Sequence, residues 1–394
     1  MTRIPRGVWV LGFVSLLMDA SSELVHSLLP LFLVSTLGAS VVVVGLIEGV
    51  AESTAMFAKV VSGYLSDRQQ RRKRWVLAGY GLAALSKLAF PLAASVGVVA
   101  AARFADRVGK GIRGAPRDAL IADLAPSAMR GASFGLRQAL DSVGALFGPI
   151  LAIVAVGVFA GNVRSALWVA VIPAALCVVL IAFGLEDRAA REPSARKVIV
   201  AADVRGLDRR FAAVCAIAAL MTLARFSEAF LILRAQSVGA SALQAPLVMI
   251  AMSLVYALLA FPAGRWVDRG GAKMSLYVGC AALFCAHLVL AMTTTLALTL
   301  LGAALWGMHL AFTQGLFSAW VANVVPAQLR GTAFGVFNLA CGVALLVASA
   351  LAGILWERVS PAAAFAAGAV LIALAAVAIA AMDSRGDGVA QEAK

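Results

Sequence analysis

The chain has 394 residues, of which 62% are hydrophobic and 13% are charged. A soluble globular chain carries about twice that share of charge, so the composition excludes a soluble fold. The formal net charge is +13, but the basic residues stand in short stretches between apolar runs, which excludes a nucleic-acid surface and fits the loops of a multi-span membrane protein.

An apolar run of about 20 residues crosses the hydrocarbon core as a helix, because a helix satisfies its own backbone groups there. In chain order such runs predict twelve spans, over 8–37, 41–65, 75–94, 96–112, 132–160, 165–185, 211–236, 242–266, 274–292, 295–323, 332–356 and 361–382. The first follows Arg3 and Arg6 in the manner of a signal peptide. It is longer than a signal core and carries Asp19 and Glu23, so it reads as a retained span. The polar stretch 186–210 reads as a cytoplasmic linker between a first half, 1–185, and a second, 211–382, with a cytoplasmic tail at 383–394. With both termini placed in the cytoplasm, 24 of the 33 Lys and Arg lie inside. Three (Arg164, Arg234, Arg358) lie outside, and the remaining six are within spans. Basic residues collect on the cytoplasmic side, so this is the expected orientation. Cys177, Cys215, Cys280, Cys285 and Cys341 all fall in apolar runs and read as small hydrophobes.

The halves repeat. Gly63-Tyr-Leu-Ser-Asp67-Arg68 follows the second span, and Gly264-Arg-Trp-Val-Asp268-Arg269 follows the eighth, 201 residues on. Pro126 and Arg130-Gly-Ala-Ser-Phe-Gly135 precede the fifth span, and Pro326 and Arg330-Gly-Thr-Ala-Phe-Gly335 precede the eleventh, 200 residues on. Two motifs sharing nearly one period indicate a duplicated six-helix unit. The expected fold class is an all-α membrane protein with twelve transmembrane helices in two pseudo-symmetric six-helix halves.

At these motifs the chain resembles the major facilitator superfamily, whose loop signature reads roughly G-x-L-x-D-R-x-G-R-R-K. The first copy runs from Gly63 to Lys73 with Gln70 at the family's glycine, and the second, from Gly264 to Lys273, keeps Gly271. The resemblance implies a gate built from Gly63, Asp67, Arg68, Arg72, Arg130, Gly264, Asp268, Arg269 and Arg330. An Asp beside a helix N-terminus is favoured by the dipole and, paired with an Arg, would latch the halves. Family members that exchange a substrate for protons carry G-x8-G-x3-G-P in the fifth helix. Here Gly135, Gly144, Gly148 and Pro149 stand at that spacing, and Ala152 and Ile153 replace the glycine pair that often follows. The run from Arg103 to Asp123, with Asp19–Glu23 and Gly45–Glu52, resembles a narrower branch that includes permeases associated with nickel and cobalt resistance. The tail here lacks the histidines of those members.

Charges inside spans are costly and mark function. Asp19, Glu23 and His26 share a face of the first span, Glu48 and Glu52 of the second, and Arg103, Asp106, Arg107 and Lys110 of the fourth. Arg137 and Asp141 are spaced to pair along the fifth. At about 1.5 Å per residue, Glu23 lies roughly 22 Å into its span and Glu48 about 10 Å from the outer end of its own, so the two are expected at one level. In the second half Arg225 and Glu228 share a face of the seventh span, with His309, Gln314 and Asn338 the other polar residues. Asp118 and Asp123 read as cytoplasmic loop residues touching the gate. A carboxylate that exchanges one neighbour for another can take up and release a proton. Asp19, Glu23 and Glu48 are the first choices for that role, with Arg103 and Arg107 as partners.

The resemblance therefore implies a proton-coupled secondary transporter that exports a small organic or cationic solute by alternating access. Two alternatives stay open. One is a divalent transition-metal efflux permease with Asp19, Glu23 and His26 as ligands. The other is an importer, such as a siderophore or nutrient permease. No P-loop and no HExxH motif is present, and an enzyme is not expected. The expected energy source is the proton gradient, without a cofactor. The expected partners are a small-molecule or cation substrate and the lipid bilayer, with no nucleic acid. The expected setting is a monomer in the cytoplasmic (inner) membrane.

Overall fold

The computed structural model describes residues 4–69, 72–126, 129–185, 208–325 and 329–384. Most of the expected linker and tail lies outside these residues.

In the first half the chain forms α1 (Arg6–Leu31), continued by a π turn at Phe32–Thr36, then α2 (Val41–Gln69), α3 (Arg72–Leu92), α4 (Val96–Leu124), α5 (Arg130–Val158) and α6 (Val163–Gly184). In the second half it forms α7 (Phe211–Ser237), α8 (Leu247–Trp266), α9 (Ala272–Met292), α10 (Leu296–Val324), α11 (Arg330–Arg358) and α12 (Pro361–Ser384). Among the described residues, eleven segments are long and apolar enough to cross a membrane, and α4 is set apart by its charge.

Two expectations are corrected here. The fourth span was expected to end at residue 112, but α4 continues through Pro116 to Leu124, so Asp118 and Asp123 are helical rather than in a loop. Counting apolar residues stops at Arg113 and Arg117, whereas an amphipathic helix carries such a polar stripe without ending. The seventh span is not one helix: it breaks between Ala224 and Ala229. The Ser227 backbone N–H donates to Ser349 Oγ at 3.1 Å, and the Ser227 hydroxyl accepts from Ala229 N at 3.3 Å. A side chain of α11 thereby takes a donor that a continuous helix would use internally.

The packing repeats with a period of six helices. In the first half α1 lies on α5 and α6, and α3 on α4 and α6; in the second α7 lies on α11 and α12, and α9 on α10 and α12. The repeat extends to the turns. Ser95 caps α4 by accepting from Val98 N at 3.5 Å, and Thr295, 200 residues on, caps α10 by accepting from Leu298 N at 3.4 Å. Gly38 and Gly239, 201 residues apart, both take left-handed backbone at φ 68° and 93°, a conformation that favours glycine. The two helices that open onto the basic outer loops are also capped alike. Arg164 donates to Ala93 O at 2.7 Å beyond α3, and Arg234 donates to Leu290 O at 2.8 Å and Thr293 O at 2.9 Å at the end of α9. Two of the three basic residues expected outside thus satisfy the free carbonyls of helix C-termini.

The described residues group into two units. One holds the residues before Ser40, those from Val50 through α6, and Ala242–Pro246; the other holds Ser40–Gly49, α7 and the residues from Leu247 onward. The outer turns of α2 therefore belong with the second unit, where Gly45 and Gly49 lie against α11 at Ser349 and Leu346 and Val42 N donates to Glu357 Oε1 at 3.0 Å.

Candidate functional site

The site is built on a seam between α1 and α5. A Cβ added at Gly144 would strike the Leu16 carbonyl oxygen; one at Gly148 would meet Glu23 Cβ, and would lie 2.8 Å from Ala20 O and 2.9 Å from Leu24 N. Small residues allow such an approach between membrane helices. Gly135, the first glycine of the same motif, has no neighbouring atom within 4 Å of such a Cβ. Two of the three motif glycines therefore set the distance at which α1 faces α5.

That seam brings Asp19 of α1 against Asp141 of α5, and the two carboxyl groups are hydrogen-bonded to one another. Asp141 also faces two guanidinium groups: Arg137 Nη1 lies 3.5 Å from its Oδ2 and Arg117 Nη1 lies 3.7 Å from its Oδ1. Both arginines reach Asp118 as well, Arg117 Nε at 3.2 Å and Arg137 Nη1 at 3.8 Å from Oδ1. Arg117 is steadied from the other side by Ser15 Oγ, which accepts from its Nη1 at 2.9 Å, and by the Tyr80 hydroxyl at 3.4 Å. Arg137 thus stands between two alternative carboxylates, one on α4 and one on its own helix.

A second cluster lies one to three turns away on α4. Lys87 of α3 is fully buried and donates from Nζ to Asp106 Oδ1 at 2.7 Å and to Ser22 Oγ at 3.2 Å. The other oxygen of Asp106 lies 3.7 Å from Arg103 Nη1 and 3.6 Å from Arg107 Nε. Arg107 Nη1 also reaches Glu52 Oε1 of α2 at 3.1 Å. A buried charge is costly unless it is paired and hydrogen-bonded; this cluster meets that condition and ties α2, α3 and α4 at one level.

The structure thus brings together Asp19, Arg137 and Asp141 in one cluster and Glu52, Arg103, Asp106 and Arg107 in the other. Glu23 is paired along α1 with His26, whose Nδ1 lies 3.4 Å from Glu23 Oε2. Glu48 is buried but is grouped with the second unit, apart from the first unit's clusters. Depth along a helix set Glu48 level with Glu23 but carried no information about which helix it faces. Arg225 and Glu228 fall at the break in α7 and are partly buried. Asp19, Glu23 and His26 do not assemble a metal site; among the described residues no group of three His, Cys, Asp or Glu is placed to hold a metal ion.

The gate motifs are helical. Asp67 and Arg68 belong to the last turn of α2 rather than to a loop at a helix start, and Asp268 and Arg269 lie in a π turn, Val267–Gly271, that follows α8. The dipole argument for Asp67 therefore does not apply to the helix that carries it. The side chains of Asp67, Arg68, Asp268 and Arg330 lie outside the described residues. Of the remainder, Arg72 pairs with Asp123 and donates to Ala119 O at 3.2 Å on α4; Gly63 faces Ala115; and Arg130, Gly264 and Arg269 are exposed.

Sequence reasoning passed over Lys87, Arg113 and Arg117 as site residues. The partners of Lys87 and Arg117 lie on other helices, so no spacing within one helix signals them. In the second unit the buried histidines are fixed by backbone. His287 Nε2 donates to Ala224 O and His309 Nδ1 to Gly279 O, both at 2.9 Å. Phe226, Trp306 and Phe365 surround the His287 ring.

The sequence profile of the Major Facilitator Superfamily matches the chain twice, over residues 11–226 and 211–392. An uncharacterized MFS-type transporter of Methanocaldococcus jannaschii is 31% identical over 375 residues, covering 93% of this chain and 92% of that protein. The crystal structure of the nucleoside transporter NupG superposes with a TM-score of 0.81 at 14% identity, covering 95% of this chain and 99% of that one. That of the human organic anion transporter MFSD10 superposes with a TM-score of 0.68 at 21% identity, covering 96% and 100%. At these identities the two structures speak for the fold.

Proposed function

Because the chain belongs to the major facilitator superfamily, a family of membrane transporters rather than enzymes, we propose that it is a secondary transporter that exports a small organic solute in exchange for protons. The observation that carries the proton coupling is the hydrogen-bonded carboxyl pair of Asp19 and Asp141. Two carboxyl groups hydrogen-bond to each other only with a proton between them, as in other close carboxyl pairs. Loss of that proton leaves two like charges in contact, and the arrangement relaxes when Arg137 and Arg117, which reach both Asp118 and Asp141, turn fully toward Asp141. Protonation state and helix arrangement are then linked, which is the requirement for coupling.

Exchange, rather than import, is favoured by the fifth-helix motif, whose Gly144 and Gly148 hold α1 close enough to α5 for the carboxyl pair to form. The proton gradient supplies the energy, with no cofactor. The 24-to-3 distribution of basic residues favours both termini in the cytoplasm and residence in the cytoplasmic membrane. The chain acts as a monomer, each half supplying one side of the path.

The test uses proteoliposomes loaded with a pH dye and an imposed proton gradient. Addition of a transported solute is expected to collapse the gradient in liposomes holding the protein and not in empty ones. Solute movement with no accompanying proton movement would overturn the coupling.

A further inference from the structure

We infer that the solute is an organic anion, recognised through Lys59 and Lys110 on the first unit; this rests on the transporter reading above and adds the substrate's charge. The packing of α2 on α4 fixes the two lysines near one level. A Cβ at Gly111 would lie 2.8 Å from Ala55 O and 2.9 Å from Lys59 N, and the Lys59 stem passes Gly114 at 3.6–3.7 Å. Lys110 stands one turn before Gly114. It shares the face of α4 that carries Arg103 and Arg107, seven and three residues earlier, a spacing that repeats one side of a helix.

Both lysines are exposed, and the apolar residues Val98 and Phe104 occupy other positions of α4 that are open to the surroundings. An ammonium exposed within a membrane-spanning bundle is tolerated where it meets water rather than lipid, so these two face an aqueous path. The carboxylates around them are already engaged. Glu23 faces His26, Glu52 faces Arg107, Asp106 faces Lys87, and Asp118 and Asp141 face Arg117 and Arg137. Among the described residues neither Lys59 nor Lys110 has a carboxylate within ion-pair distance. Arg113, one turn on from Lys110, is nearly fully buried against the Tyr80 ring, at 4.6 Å to its centroid, with its Nη1 atom lacking a hydrogen-bond partner.

The acids that made a cationic solute attractive on sequence alone are thus neutralised by arginine, lysine and histidine, and the uncompensated charge on the path is positive. A cation would meet two ammonium groups, whereas a carboxylate or phosphate would receive charge-assisted hydrogen bonds from them. The chemical class is an organic solute bearing at least one such group.

The experiment measures binding apart from coupling. Thermal stabilisation of the purified full-length protein is recorded with p-aminohippurate, glucose 6-phosphate and taurocholate as anionic probes, and with adenosine and tetraethylammonium as neutral and cationic ones. At least one anion is expected to stabilise the protein in proportion to its occupancy. Its affinity should fall about tenfold or more in Lys110→Gln and in Lys59→Gln, the loss expected for one charged hydrogen bond, and recover in Lys110→Arg. Stabilisation by tetraethylammonium or adenosine with none by the three anions would overturn the inference, as would an anion affinity unchanged in both glutamine variants. Anion binding without solute-driven proton movement would overturn the coupling and leave this inference standing. Proton movement driven only by the cation would do the reverse.

Discussion

Replacing Gly148 by alanine tests whether the fifth-helix motif is a packing seam. The added Cβ would run into Glu23 Cβ and the α1 backbone at Ala20 O and Leu24 N, the latter two at 2.8 and 2.9 Å. Backbone atoms cannot rotate away as a flexible side chain would, so α1 must move off α5 or the helices must lose contact. The upper part of the overpacking range, about 3 kcal/mol, applies. Alanine's better helix propensity offsets about 1 kcal/mol of it, leaving a net loss of about 2 kcal/mol, or roughly 30-fold in the unfolding equilibrium. Gly135→Ala is the internal control, since nothing lies within 4 Å of its added Cβ, and it should be neutral or slightly stabilising. Reversible unfolding in SDS, followed by far-UV circular dichroism, gives both values. A Gly148→Ala variant as stable as the parent would refute the seam. A Gly135→Ala variant equally damaged would show that the motif does not act through close contact with α1.

Lys87→Met should destabilise the protein by about 3–5 kcal/mol in the same titration, because it leaves Asp106 buried without its closest partner; Lys87→Arg should retain part of that stability. Arg234→Leu should cost about 2–3 kcal/mol by stripping charged donors from the carbonyls at the end of α9, and Arg164→Leu should lower stability in the same way at α3. Hydrogen exchange in each variant should rise at the C-terminal turn of the uncapped helix, and uniform exchange along the chain would contradict the capping role.

The duplication was legible because its markers are residues with narrow backbone uses. Gly63 and Gly264, and Arg130 and Arg330, recur at one period, and the caps Ser95 and Thr295 follow the same period. The end of α4 was not legible, since apolar counting stops at Arg113 while the helix follows its amphipathic stripe to Leu124. Charged residues were found in the sequence, but their partners were not. Spacing within a helix correctly joined Arg137 to Asp141 and Glu23 to His26. It gave no hint that Lys87 reaches Asp106 on the next helix, that Asp19 meets Asp141 across the seam, or that Glu48 groups with α11's unit. The sign of the unpaired charge follows from those cross-helix pairings, which explains why an acidic cluster suggested a cation and the assembled face favours an anion.

The most direct test of the central claim compares proton movement with solute exchange in Asp19→Asn and Asp141→Asn proteoliposomes. Each asparagine keeps a hydrogen bond across the seam but removes the shared proton. The account predicts that solute-for-solute exchange persists without a gradient while solute-driven proton movement is lost in both variants. Full proton movement in either variant would contradict the assignment of the coupling proton to this pair.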